Sequence, residues 1–350
     1  MWIILTAAAA AAGGLLLLKC RVPGGMLVGA IIAVAALSVT TGQAYMWPQI
    51  RVAAQVLTGA YIGCMVTRED ICHLPKIIGP YLTVMGSFFL LNLAVGTFIY
   101  HFTSLDLLTS LLCAMPGGMS DTPLIAMDMG ADSSMVAVMQ FVRMLFGMGC
   151  LPSIVLFSDR LMERDAASGA VQSRERPVPA HTHVPLLPFL PTLGVALCAG
   201  LVGRWSGIPA GAMSFSMVAV AALKIAGKTP PMPMWLRRVA QVISGCCIGS
   251  TVGLEQLLRL RQMVVPAVVL CLGYILCCVG MGWVISRVFH LPPKEAMLSL
   301  SPAGATEMAL IAADLGVEST NLVVLQICRL IGVMLLFPQF FSLLLHFLPL

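Results

Sequence analysis

Two acids, Asp121 and Glu307, each close a helix-breaking run: Met115-Pro116-Gly117-Gly118-Met119-Ser120-Asp121 and Ser301-Pro302-Ala303-Gly304-Ala305-Thr306-Glu307. The runs lie 186 residues apart. Proline denies the helix a donor and blocks its continuation, while glycine permits strained dihedrals and close backbone approach. A helix broken in this way ends in free carbonyls and resumes in free N–H groups, so it can hold a cation at one end and an anion at the other. An acid beside those groups either binds a proton or cation, or caps the next helix, as Ser120 and Thr306 also could.

Other polar residues keep the same spacing. Asp128 and Asp314 lie two helical turns beyond the motif acids and just before Gly130 and Gly316, which also fits an interfacial helix end. Arg143 and Arg329 lie about nine residues into the last helix of each copy, roughly 14 Å deep at 1.5 Å per residue. An arginine at that depth needs a partner, and a structural ion pair to Asp121, Asp128 or their counterparts is one solution. Gln140 and Gln326 precede the arginines by one turn. Arg51 and Arg237 read as anchors that snorkel to the headgroups. Gln55 and Gln241 follow them, and then Gly59-x-x-x-Gly63 and Gly245-x-x-x-Gly249 point to close helix packing, with a place at the site as the alternative.

The elements that must position these residues also recur. Identities at the 186-residue offset include Gly14 and Gly200, Pro23 and Pro209, Pro80 and Pro266, Gly96 and Gly282, Asp128 and Asp314, and Pro152 and Pro338. Rare residues holding one register without a gap indicate a duplicated unit. With 59% hydrophobic and 10% charged residues and a mean hydropathy of +0.95, the chain departs from soluble domains, which are about 25% charged. It reads as a polytopic membrane protein, and its net charge of +5 is spread over short loops, with no basic module for direct nucleic-acid contact. No basic residue precedes the first apolar run, so that run reads as a spanning helix with its N-terminus outside rather than as a signal peptide. Most of the 12 cysteines lie in apolar runs without C-x-x-C spacing, and the six histidines form no ligand pair, so no metal or other cofactor is expected.

Apolar segments fall near 2–18, 24–41, 48–66, 77–101 and 134–158, with a broken one near 105–131. They recur near 187–203, 209–226, 236–253, 263–286 and 320–345, with a broken one near 291–317. The expected organisation is a first membrane repeat over 1–158, a hydrophilic cytoplasmic linker over 159–186 and a second repeat over 187–350. If each broken segment re-enters, each repeat crosses five times and 14 basic residues share one face against four on the other. If the broken segments cross as well, the split weakens to 11 against seven. The expected fold is therefore an all-α polytopic membrane protein of two inverted repeats, each with about five spanning helices and one broken or re-entrant helix. A broken segment that crosses while another segment fails to keeps the same parity and stays open.

The two motifs, with Leu124-Ile125-Ala126-Met127-Asp128 and Leu310-Ile311-Ala312-Ala313-Asp314 following them and Arg143 and Arg329 downstream, resemble the AbrB family of bacterial inner-membrane proteins over nearly the whole chain. Ala303 departs from that family's usual double glycine, and Pro123 has Ala309 as its counterpart, so the two halves need not bind alike. The resemblance implies a multi-pass inner-membrane location and a label of gene-expression regulator or ammonia monooxygenase. It also implies likeness to secondary carriers at the level of repeat architecture. The residues supply neither clustered metal ligands nor a DNA-binding module. The expectation is a non-enzymatic secondary transporter in a lipid bilayer, with a small-molecule or ion substrate. Pro116, Gly117, Gly118, Ser120, Asp121, Asp128, Arg143, Pro302, Gly304, Thr306, Glu307, Asp314 and Arg329 form its binding site. A membrane sensor that regulates expression through the linker is the alternative, and a homodimer is compatible with either reading.

Overall fold

Apolar side chains on every face of a helix need lipid or protein around them, and the chain forms helices of that kind. The computed structural model describes residues 2–20, 22, 24–150, 153–155, 157, 189–230, 232–302 and 320–347. The linker and the motif residues Gly304, Thr306, Glu307 and Asp314 lie outside them. Every regular element among the described residues is helical.

The first half contains α1 (Trp2–Lys19), α2 (Gly25–Thr41), α3 (Pro48–Met65), α4 (Arg68–Phe102), α5 (Leu107–Ala114), α6 (Asp121–Met129) and α7 (Ser133–Gly149). After these come α8 (Leu190–Trp205), α9 (Gly211–Ile225) and α10 (Met234–Gly249). A continuous run, α11 (Leu254–Phe289), contains a 3-10 turn at Leu260–Met263 and a π turn at Cys277–Met281. The last two are α12 (Pro293–Ser299) and α13 (Thr320–Phe347). The starts of α9, α10, α11 and α12 each fall 186 residues after those of α2, α3, α4 and α5.

Among the described residues four stretches are long and apolar enough to cross a bilayer: Trp2–Lys19, Ile77–Phe102, Leu254–Phe289 and Asn321–Phe347. Exposed Leu82, Leu90, Leu276 and Leu336 on them are suited to lipid. The protein is thus a multi-pass membrane protein. The shorter apolar helices α2, α7, α8 and α9 have 15 to 17 residues and reach roughly 22 to 26 Å, less than a hydrocarbon core of about 30 Å.

The helices pack in two groups. In one, α1 lies on α2 and α8 on α9, while α3 packs against α9 and α10 against α2. Glycines permit these crossings. A Cβ added at Gly63 would stand 2.5 Å from the Met217 carbonyl, and one at Gly249 would stand 2.9 Å from that of Ile31. Gly59 faces Met213 and Gly245 faces Leu27 in the same way, so the G-x-x-x-G pairs do pack closely. In the other group α4 packs on α5, α11 and α13, α5 on α7, and α12 on α13, around a core that includes Phe88, Leu111, Met139, Tyr274 and Phe337. The short α6 touches α3, α10 and α7, so it bridges the groups.

Candidate functional site

The break between α5 and α6 follows from Pro116. Met115, the residue before it, is extended (φ −62°, ψ 129°), as steric conflict with the proline ring requires. The chain turns at once, with the Gly117 N–H on the Met115 carbonyl at 2.8 Å, and α6 begins at Asp121. Ser120 makes no side-chain cap, so the capping role open to it is not the one it plays.

Carbonyls left free by the end of α5 are taken up by α7. Gln140 Nε2 donates to Leu112 (3.2 Å) and Met115 (3.1 Å), and the Arg143 guanidinium donates to Met115 (2.7 Å) and to Gly117. The second copy repeats the pattern. Gln326 Nε2 donates to Leu298 (2.7 Å), and Arg329 donates to Ser301 (2.5 Å) and Ser299 (3.4 Å). The expected ion pair of Arg143 to Asp121 or Asp128 is replaced by these main-chain bonds. The carbonyls at the end of an interrupted helix lack their regular intrahelical donors and keep acceptor capacity for a guanidinium.

Asp128 lies at the other end of α6. It pairs with Arg51 at 3.4 Å and accepts from the Ala210 N–H at 3.1 Å, while Arg51 donates to the Met127 carbonyl at 2.7 Å. Arg51 therefore holds α3 to α6 instead of snorkelling, a role its position near a helix start did not reveal. Gln55 donates to the Leu124 carbonyl at 3.3 Å in the same seam. These residues border an open cavity of about 450 Å³ together with Arg204 and Ser342.

A second, more enclosed cavity of about 110 Å³ lies at the N-terminal end of α6. Of the expected site residues, Gly117, Gly118, Ser120, Asp121, Arg143, Pro302 and Arg329 line it together. Asp121 is only 8% exposed, and its carboxylate has no hydrogen bond or ion pair among the described residues. The positive charges acting on it are those of Arg237 and Arg143. The amides of Gly118, Met119, Ser120 and Asp121 likewise have no partner among the described residues. Arg143 is 2% exposed, and its Nε is buried without a partner.

Three further residues line this cavity: Tyr61, which the sequence did not single out, Arg237, read there as an anchor, and Gln241, for which a place at the site was the alternative to packing. The Arg237 guanidinium lies over the Tyr61 ring, 4.5 Å from its centroid. Its one-turn spacing from Gln241 was the available signal, because both then face the same way along α10. Pro116 adjoins the cavity through Gly117, whereas Asp128 lies at the opposite end of α6. Among the described residues no three of His, Cys, Asp and Glu converge as metal ligands.

A model of the family described as "Transition state regulatory protein AbrB" matches residues 1–159 and 78–345. The chain is similar to a protein of Escherichia coli K12 named "Putative regulator AbrB", at 29% identity over 330 residues, 92% of this chain and 90% of that one. It is also similar to the "Uncharacterized protein YhjN" of Bacillus subtilis 168, at 28% identity over 267 residues, 73% of this chain and 68% of that one. The chain belongs to the AbrB family of membrane proteins.

Proposed function

We propose that this member of the AbrB family is a secondary transporter of a small solute in the bacterial inner membrane. One observation carries the reading: Asp121, a buried carboxylate without a partner among the described residues, lines a cavity at a helix break where both packing groups meet. A carboxylate in that setting costs free energy unless a cation, proton or solute shares it, and exchange of such a partner is what a carrier needs.

Repeat architecture supports the same reading. Matching helix starts, and Gln140 and Arg143 bonding Leu112 and Met115 as Gln326 and Arg329 bond Leu298 and Ser301, favour two copies of one unit. The loop charges favour opposite orientations for the copies. Two inverted units whose breaks meet at one site can rock one group against the other and expose that site to each side in turn.

Solute flux into proteoliposomes, with and without a pH gradient, tests the proposal. Asp121→Asn together with Glu307→Gln is expected to abolish gradient-driven flux, and wild-type rates in that variant would refute the assigned roles. A second reading, as a membrane regulator, is favoured by the name of the Escherichia coli relative. It predicts that deleting the charged part of residues 159–186 alters target expression while leaving flux intact. The transporter reading alone predicts unchanged expression.

A further inference from the structure

We infer that the enclosed cavity takes a short-chain monocarboxylate together with one proton, the anion held by Arg237 and the free amides of α6 and the proton by Asp121. The inference rests on the transporter reading for the movement of the pair; the binding itself stands on the geometry.

Charge decides the sign of the ligand. Arg143, Arg237 and Arg329 bring three positive charges to the wall, and the carboxylate among the described lining residues is Asp121. Arg143 donates to the carbonyls of Met115 and Gly117, which are neutral, so the described negative charge set against it is that of Asp121, shared with Arg237. Arg237 has no ion pair among the described residues, unlike its counterpart Arg51, which is matched by Asp128. The start of α6 adds a positive dipole end, and the amides of Gly118, Met119, Ser120 and Asp121 leading into it have no partner among the described residues. A cation would meet three guanidinium groups in a low-dielectric site, whereas an anion is drawn to them.

Size and wall chemistry narrow the class. A volume of about 110 Å³ corresponds to three or four waters at about 30 Å³ each, the scale of an anion of a few heavy atoms. Leu27, Ile62, Met119 and Leu330 add apolar surface to the lining. A carboxylate fits the planar guanidinium fork in a bidentate manner and presents a short alkyl end to that surface. Inorganic phosphate would turn an oxygen towards it.

Asp121 then fixes the stoichiometry. A bound carboxylate and an ionised Asp121 in one small cavity repel each other, so binding of the anion draws a proton from solution onto Asp121. Among the described residues, the charged and titratable groups that line the cavity with Asp121 are Arg143 from α7, Arg237 from α10, Arg329 from α13 and Tyr61 from α3, while Gly24 and Leu27 at the α2 end carry none. The proton returns to solution when the anion leaves, so the pair moves without net charge.

Calorimetric titration of the full-length protein with pyruvate, in buffers of different ionisation heat near pH 7, reads the proton directly. About one proton taken up per anion is expected for the wild type and none for Asp121→Asn, whose amide stands in for the protonated acid. Arg237→Gln should weaken binding about ten-fold or more and Arg237→Lys less, as expected for a lost bidentate charge-assisted contact. Unchanged affinity in Arg237→Gln, or unchanged proton uptake in Asp121→Asn, overturns the assignment. Wild-type proteoliposomes then separate the two readings with pyruvate, inorganic phosphate, methylammonium and sodium. Pyruvate uptake driven by external acid and indifferent to membrane potential supports both. Pyruvate binding with no flux of any of the four leaves the site standing and removes the transporter. Flux of another solute, with pyruvate neither bound nor moved, overturns this inference and keeps the transporter.

Discussion

Arg143 shows how an intramembrane charge can be satisfied without an opposite charge. Its guanidinium takes the carbonyls of Met115 and Gly117, which Pro116 has freed, and Gln140 shares the Met115 carbonyl. The consequence is that Asp121, which lines the same cavity, is left without a hydrogen-bond or ion-pair partner among the described residues. Arg143→Ala should therefore act first on stability, since bonds to a charged donor contribute about 1.5–3 kcal/mol each. Thermal unfolding in detergent is expected to fall markedly for Arg143→Ala and to recover partly for Arg143→Lys, which keeps the charge and one donor. Equal melting of Arg143→Ala and wild type would mean that the break is held in some other way.

At the scale of elements, the glycine crossings set the tightest limits. Gly245 on α10 has Ala30 and the Leu27 carbonyl of α2 against it, with the carbonyl 3.2 Å from an added Cβ, and Gly63 on α3 is closer still to Met217 of α9. Gly63→Ala must push α3 from a backbone atom, an overpacking cost of about 1–3 kcal/mol, whereas Gly149→Ala meets nothing within 4 Å. A thermal shift should separate the two variants, and indistinguishable melting would contradict the observed crossing. These helices were legible in the sequence because Gly59, Gly63, Gly245 and Gly249 kept both their helical spacing and the 186-residue offset. So were the break at Pro116 and the burial of Arg143. Partner choice was not legible. Asp128 and Arg143 lie on segments adjacent in sequence, yet Asp128 meets Arg51 on α3, because tertiary contact brings α3 and α6 together. Arg237 looked like an anchor for the same reason: its ring contact with Tyr61 depends on how α3 and α10 pack, which spacing along one helix does not reveal.

For the whole molecule, the decisive relation is that two cavities lie at opposite ends of α6, a helix of nine residues and therefore about 14 Å long. A solute passing along α6 needs one end sealed while the other admits it. Arg51 and Asp128 close the seam at the C-terminal end, each side chain 22% exposed, so their pairing contributes only modestly in itself, about 0–1 kcal/mol. The Ala210 N–H on Asp128 and the Met127 carbonyl on Arg51 add α9 and α6 to the same junction, which joins both packing groups. Loosening it should favour separation of α3 from α6. Gln55, fully buried in that seam, reports the event. With the other cysteines replaced, Gln55→Cys is expected to react with a water-soluble thiol reagent several-fold faster when Asp128→Asn is added, and Arg51→Gln should have the same effect. Conformational opening predicts this acceleration at both positions, because either change breaks the same junction. A rate that stays at the Gln55→Cys value in both double variants would mean that the two groups part elsewhere, and the seam along α6 would then be a fixed wall of the site and not its gate.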